Sequence, residues 1–200
     1  MPKIVDHDKQ RVLVAEAAWR VIRRNGMEQA SVRNIAEEAG ISVGSMRHYF
    51  STQSELLLYA MNLVSERVTS RIQRMTFNGP PMDDMKRLLL ELMPNTDEKM
   101  AEMEVWYAFT AKSKTDPAFK KLADTVYNDI RRAVEIAITS LTKLNLFRPD
   151  LDQELEIERL YALVDGLAIH AVLRPDQVNG KLMDEALSLH LTSLCSKSDH

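Results

Sequence analysis

Between Gly40 and Ser51 the chain reads "GISVGSMRHYFS". A serine that can cap a helix, a glycine without a side chain and a serine hydroxyl are followed by Arg47, His48, Tyr49 and Phe50. On a helical wheel Met46, Phe50 and Val43 fall together, facing a core with Ile35 and Ile41. Gly44, Ser45 and His48 fall opposite, with Arg47 and Tyr49 at the flanks. Such a helix suits a duplex. Its amino end points free N–H groups at a phosphate, and Ser42 caps it. Gly44 lets the backbone approach, and Ser45 and His48 reach base edges. Arg47 and Tyr49 can reach phosphates or bases at the sides, and Arg33, one helix earlier, can reach a phosphate. The same wheel describes a surface helix held by Met46 and Phe50 with solvated residues outside, so geometry alone leaves both readings open.

These residues need elements to hold them. Prolines and glycines leave long uninterrupted windows, as helix interiors require. Val14, Ala18, Val21 and Ile22 share a face within 8–25. Ser31 caps a helix carrying Val32, Ile35, Ala36 and Ala39, which Gly40 ends with a positive φ. A second short helix covers 43–50. Thr52 and Glu55 form a capping box opening a helix to about Met75. Helices follow between "NGPP" at 78–81, Pro94 and Asp116–Pro117, then at 117–144, 153–173 and 181–195. No stretch alternates apolar and polar residues, so the expectation is all-α, with nine helices and no strand. Two short helices joined by "GIS" have the dimensions of a helix-turn-helix.

Composition limits the alternatives. The 200 residues suffice for one or two domains, and a net charge of −3 argues against bulk affinity for nucleic acid. Residues 1–55 hold eight Lys/Arg against seven Asp/Glu, so any basic character lies at the amino end. Neither a secretory leader nor an apolar run of membrane-spanning length is read. Cys195 is the single cysteine, which fits a reducing compartment. It reads as structural rather than nucleophilic. His7 lies between Asp6 and Asp8 in a terminus expected to be mobile. His170 does not share a helical face with Asp165, and His190 and His200 show no companions. Neither a metal site nor a cofactor loop is expected, and no constellation supports an enzyme.

"AAWRVIRRNG" and "SVRNIAEEAGISVGSMRHYFSTQSELL", within residues 12–57, resemble the DNA-binding domain of the tetracycline-repressor (TetR) family, including the skeleton "IA..AG.S.G...HYF". "WYAFTAKSKTDPAF" and "VDGLAIHAVLRP" resemble the carboxy-terminal domain of its BetI-like subset. Two residues depart from the family pattern. Arg47 stands where an aromatic residue is common, and Gln53 where a lysine is common, which weakens a phosphate contact made in relatives.

The resemblance implies an N-terminal three-helix helix-turn-helix domain, 1–52, and a larger helical ligand-binding and dimerisation domain, 53–200. It implies a cytoplasmic, homodimeric, ligand-responsive transcriptional repressor that binds a pseudo-palindromic double-stranded operator and is released by a small effector. Arg33, Ser42, Val43, Gly44, Ser45, Arg47, His48 and Tyr49 are the expected DNA-binding residues. The rival is a helical carrier or sensor that binds no DNA. Gly44, Tyr49 and Arg33 count against it.

Two constellations remain in the second domain. Met103, Trp106, Tyr107 and Phe109, with Tyr127 and Tyr161 on later helices, read as the lining of a largely apolar effector pocket or as plain core. The pocket reading is bounded by Trp106, Phe109 and Tyr127. Ala162 and Gly166 are small residues four apart, with Leu163 and Leu167 beside them and Leu187 on the last helix. They read as close helix packing, and the resemblance places them at a dimer interface, where relatives form a four-helix bundle.

Overall fold

A computed structural model describes residues 7–196. Among them lie nine α-helices: α1 (His7–Asn25), α2 (Val32–Glu38), α3 (Val43–Met46), α4 (Gln53–Gln73), α5 (Pro81–Leu90), α6 (Asp97–Ser113), α7 (Pro117–Lys143), α8 (Gln153–Leu173) and α9 (Gly180–Ser193). A single 3-10 turn, Met27–Gln29, precedes α2. No strand occurs among the described residues. Phe147 and Cys195 form an isolated antiparallel bridge. No described helix is long and apolar enough to cross a membrane.

The helix ends follow local chemistry. Ser31 and Ser42 accept from the backbone N–H of Asn34 and Ser45, satisfying donors at the starts of α2 and α3. Thr52 accepts from Glu55 N–H at 3.0 Å. The Glu55 carboxylate reaches back one residue further than a capping box requires, to the N–H of Ser51 at 2.8 Å. After α2, Gly40 adopts φ +67°. There the N–H of Ile41 donates to Ala36 O across the turn. Asn145, at φ 56°, ends α7 in the same way, with Leu146 N–H on Leu141 O.

The chain divides into two compact units. Among the described residues the first comprises 7–67 and 104–123, the second 68–103 and 124–196. This division by packing differs from the expected motif boundary at 52/53, since much of α4 and half of α6 pack with the amino-terminal helices. The first core gathers Val14, Ala18, Trp19 and Ile22 with Ile35, Met46, Phe50, Leu57, Met61, Val105, Phe109 and Phe119. Trp19 is anchored by its indole N–H, which donates to Ala60 O at 2.8 Å, and by the Arg67 guanidinium 4.7 Å above its ring. The second core packs α5, α7, α8 and α9 through Leu88, Leu89, Ile138, Leu141, Leu160, Val164, Met183, Leu187 and Leu191.

Candidate nucleic-acid interface

α3 is shorter than the 43–50 helix expected from the sequence. One α-helical turn ends at Met46, and the chain then winds more tightly. His48 N–H donates to Ser45 O and Tyr49 N–H to Met46 O, both i to i+3 bonds, before Phe50 N–H returns to Met46 O. This winding still brings Phe50 beneath the segment, and Met46 and Phe50 are buried as expected. Val43 is not: it is 38% exposed. It occupies the free first position of the helix, one turn ahead of the core that closes over Met46. Its side chain joins the outward surface.

Ser42, Val43, Gly44, Ser45, Arg47 and His48 are all exposed, as is Arg33 on α2, and Tyr49 is half-buried. The structure therefore gathers the eight expected residues on one short stretch and the helix before it. Ser42 and Ser45 also share a hydroxyl–hydroxyl bond of 3.0 Å. A Cβ added to Gly44 would meet only Ser42 Oγ, at 3.6 Å.

Charge sorts the arginines of this unit. Arg20 and Arg24 bind Glu38, whose carboxyl is held below its usual range chiefly by the Arg20 hydrogen bond. Arg23 binds Glu104, Arg67 binds Glu16 and Arg11 binds Glu55. Arg33 and Arg47 form no ion pair among the described residues, so their charge stays available to an external anion. Gln53, at the family's lysine position, donates its amide to Ala30 O at 2.8 Å. Its polar end is thus used inside the domain.

A chain with this arrangement matches the family model described as bacterial regulatory proteins, tetR family, over residues 14–60. Residues 81–196 match the model described as BetI-type transcriptional repressor, C-terminal. The chain belongs to the TetR family. As such it is a DNA-binding transcriptional regulator and not an enzyme. It is 46% identical to the HTH-type transcriptional regulator PksA of Bacillus subtilis (strain 168), over 98% of this chain and 94% of that one. It is 29% identical to the regulator BetI of Klebsiella pneumoniae (strain 342), over 96% and 95%. Among solved structures, a transcriptional regulator from Rhodococcus sp. Rha1 superposes with TM-score 0.79 at 25% identity, covering 92% of this chain and 95% of that one. A putative regulator from Saccharomonospora viridis, solved with choline, has the same fold, with TM-score 0.81 at 23% identity over 96% and 100%.

The six expected effector residues fall into two groups. In the first unit Phe109 is fully buried between Trp106, at 5.6 Å between ring centroids, and Phe119, at 4.8 Å. Tyr107, on the same helix, is exposed. In the second unit Tyr127 on α7 meets Tyr161 on α8 at 5.1 Å. Burial pushes the Tyr161 hydroxyl pKa up, and Asp165 and Tyr127 add to the shift. Met103 lies in the second unit, half-buried. Beside it Glu102 is 3% exposed and takes a two-pronged contact from Arg71 at 2.9 and 2.7 Å.

Leu163, Gly166 and Leu167 are half-buried on α8, and a Cβ at Gly166 would meet nothing within 4 Å. Leu187 has no exposed surface and packs in the second core. The surface that α9 can offer a partner comes instead from Leu182 and Leu189, the latter 74% exposed. Two histidines sit differently from expectation. His7 opens α1 against Tyr49, and His190 does have a companion, Glu156, at 3.9 Å. His200 lies outside the described residues.

Proposed function

We propose that the protein is a ligand-responsive repressor in which residues 1–52 read DNA while residues 53–200 bind an effector and pair two copies. One observation carries the DNA assignment: Arg33 and Arg47, without an ion pair among the described residues, are exposed together with the Ser42-capped start of α3 and Gly44. Phosphates pair with the two guanidiniums. Ser45 and His48 then face base edges, and Val43 offers an apolar contact to a thymine methyl. Two copies joined through Leu163, Gly166 and Leu167 of α8, with Leu182 and Leu189 of α9, present two such surfaces to a pseudo-palindrome. The effector, largely apolar, is held by aromatic side chains of the set Met103, Trp106, Tyr107, Phe109, Tyr127 and Tyr161. Tyr127 and Tyr161 are favoured, because they keep accessible surface where Phe109 keeps none. The site of action is the cytoplasm.

The test is a gel shift on the promoter beside the protein's own coding region, against random DNA of equal length, at moderate salt. Preferential retardation of the promoter supports the repressor. Equal isotherms on the two would leave a helical sensor that no longer reads sequence.

A further inference from the structure

The far end of the DNA-reading segment lacks regular structure to hold it. α3 spans four residues, and the carbonyls that follow it have no next helical turn to accept. α1 supplies the partners from some forty residues away in sequence. Arg11 Nη1 donates to Tyr49 O at 3.1 Å, and Arg11 Nη2 lies 3.4 Å from Glu55 Oε1. The same guanidinium lies over the Phe50 ring, 4.4 Å from its centroid, and over that of Tyr59 at 4.6 Å. Glu55 in turn accepts from Ser51 N–H. One turn earlier on α1, His7 Nε2 sits 3.2 Å from His48 O, and its ring packs 5.0 Å from Tyr49.

We propose that Arg11 is a positioning residue for DNA reading, a strut that fixes residues 48–51 from α1 through the Tyr49 carbonyl, the Phe50 ring and Glu55. This rests on the assignment of residues 42–49 to DNA. Arg11 is not itself a phosphate contact, because its charge is met by Glu55 and its faces by two rings. The task needs a planar fork that bonds along its edge while stacking on its faces, which a lysine ammonium cannot do. His48 and Tyr49 are the side chains whose aim depends on it. A loosened strut therefore costs sequence discrimination rather than general attraction to DNA.

The experiment uses the full chain, with Arg11→Lys and Arg11→Gln. The probes are a duplex enriched by the wild type from a random 40-bp library and a scrambled duplex of equal composition. Both variants should lose about tenfold on the enriched duplex, comparable to misreading one base pair. They should change little on the scrambled one and keep the salt slope of the wild type. Hydrogen exchange without DNA should accelerate at the amides of 48–51 and not in α4 beyond its first turn. Equal losses on both duplexes, with the salt slope reduced by about one, would make Arg11 a phosphate contact and overturn the proposal. So would full discrimination by Arg11→Lys, or a lowered melting temperature with discrimination intact. Arg11→Lys keeps the charge and bulk, so the test holds if Arg11→Gln fails to fold. A wild type unable to distinguish the duplexes overturns the reading of 42–49 before any variant is measured.

Discussion

Arg33 and Arg47 carry charge that no carboxylate among the described residues neutralises, and this sets what each should do on DNA. Replacing either with alanine should lower the slope of log affinity against log salt by about one and weaken all duplexes alike. His48→Ala should behave differently, relaxing base preference more than overall affinity. Titrations at several salt concentrations on promoter and random DNA separate the two behaviours. An Arg47→Ala slope equal to that of the wild type would remove Arg47 from the phosphate contacts. At this scale local chemistry was readable. Ser31, Ser42, Thr52 and Gly40 act on neighbours three to five residues away, so their types and spacing announced them. Arg11 and Glu102 were not readable. Their partners lie 38 and 31 residues distant, and no periodicity links an arginine on one helix to a carbonyl or carboxylate on another.

Among the elements, long helices were placed from the sequence to within a few residues, because proline, glycine and capping side chains punctuate them. The short α3 was overextended, since a wheel drawn at 100° per residue cannot register winding that tightens after one turn. The same view missed what α8 and α9 bury between them. Glu156 is 3% exposed, and its Oε2 and His190 Nε2 both lack a hydrogen-bond partner, 3.9 Å apart. Burial holds the His190 pKa below 6.5, against the opposing pull of Glu156 and with some help from Arg159. The unfolded chain then binds a proton more readily than the folded one. Stability from this site is complete above about pH 6.5 and falls as pH drops through 6.5 toward the lower folded value, by at most about 1.4 kcal/mol per pH unit. His190→Gln should flatten that part of the profile. Denaturant melts of both proteins between pH 5 and 8 provide the check, and parallel profiles would exclude His190. In the same unit, Glu102→Ala would leave Arg71 with Glu91 alone and should cost about 2 kcal/mol in the same melts, the worth of hydrogen bonds to a charged group. A loss below about 1 kcal/mol would show the pair to be effectively solvated.

For the whole molecule, the proposed function couples assembly to signalling through energetics rather than through any single contact. Gly166→Leu should leave each chain folded, since a Cβ there meets nothing within 4 Å, yet in the proposed dimer it should separate the two α8 helices. Sedimentation should then show monomer, with operator binding lost because one half-site supplies only part of the contact energy. A dimer that binds normally would move the interface off Gly166.

In the proposed function the effector acts on that same pair. A ligand drives release only through the difference between its affinities for the released and the DNA-bound conformers. Reversing a 99:1 population requires about 5.5 kcal/mol of such difference. At about 25 cal/mol per Å², that is roughly 220 Å² of apolar surface buried in one conformer and not in the other. Aromatic faces are the richest source of such area, and Tyr127 and Tyr161 keep theirs accessible. Tyr161→Ala should therefore raise the effector concentration for half-release about tenfold while operator affinity without ligand stays within about twofold. Trp106→Ala separates the rival anchor. Trp106 packs against the core that also holds Met46 and Phe50, so its truncation should lower stability, and operator affinity with it, before it touches the response. Operator affinity and ligand response are to be titrated separately on both purified variants. A folded Trp106→Ala protein with wild-type operator affinity and a dulled response, beside an unaffected Tyr161→Ala, would place the effector at Trp106 instead.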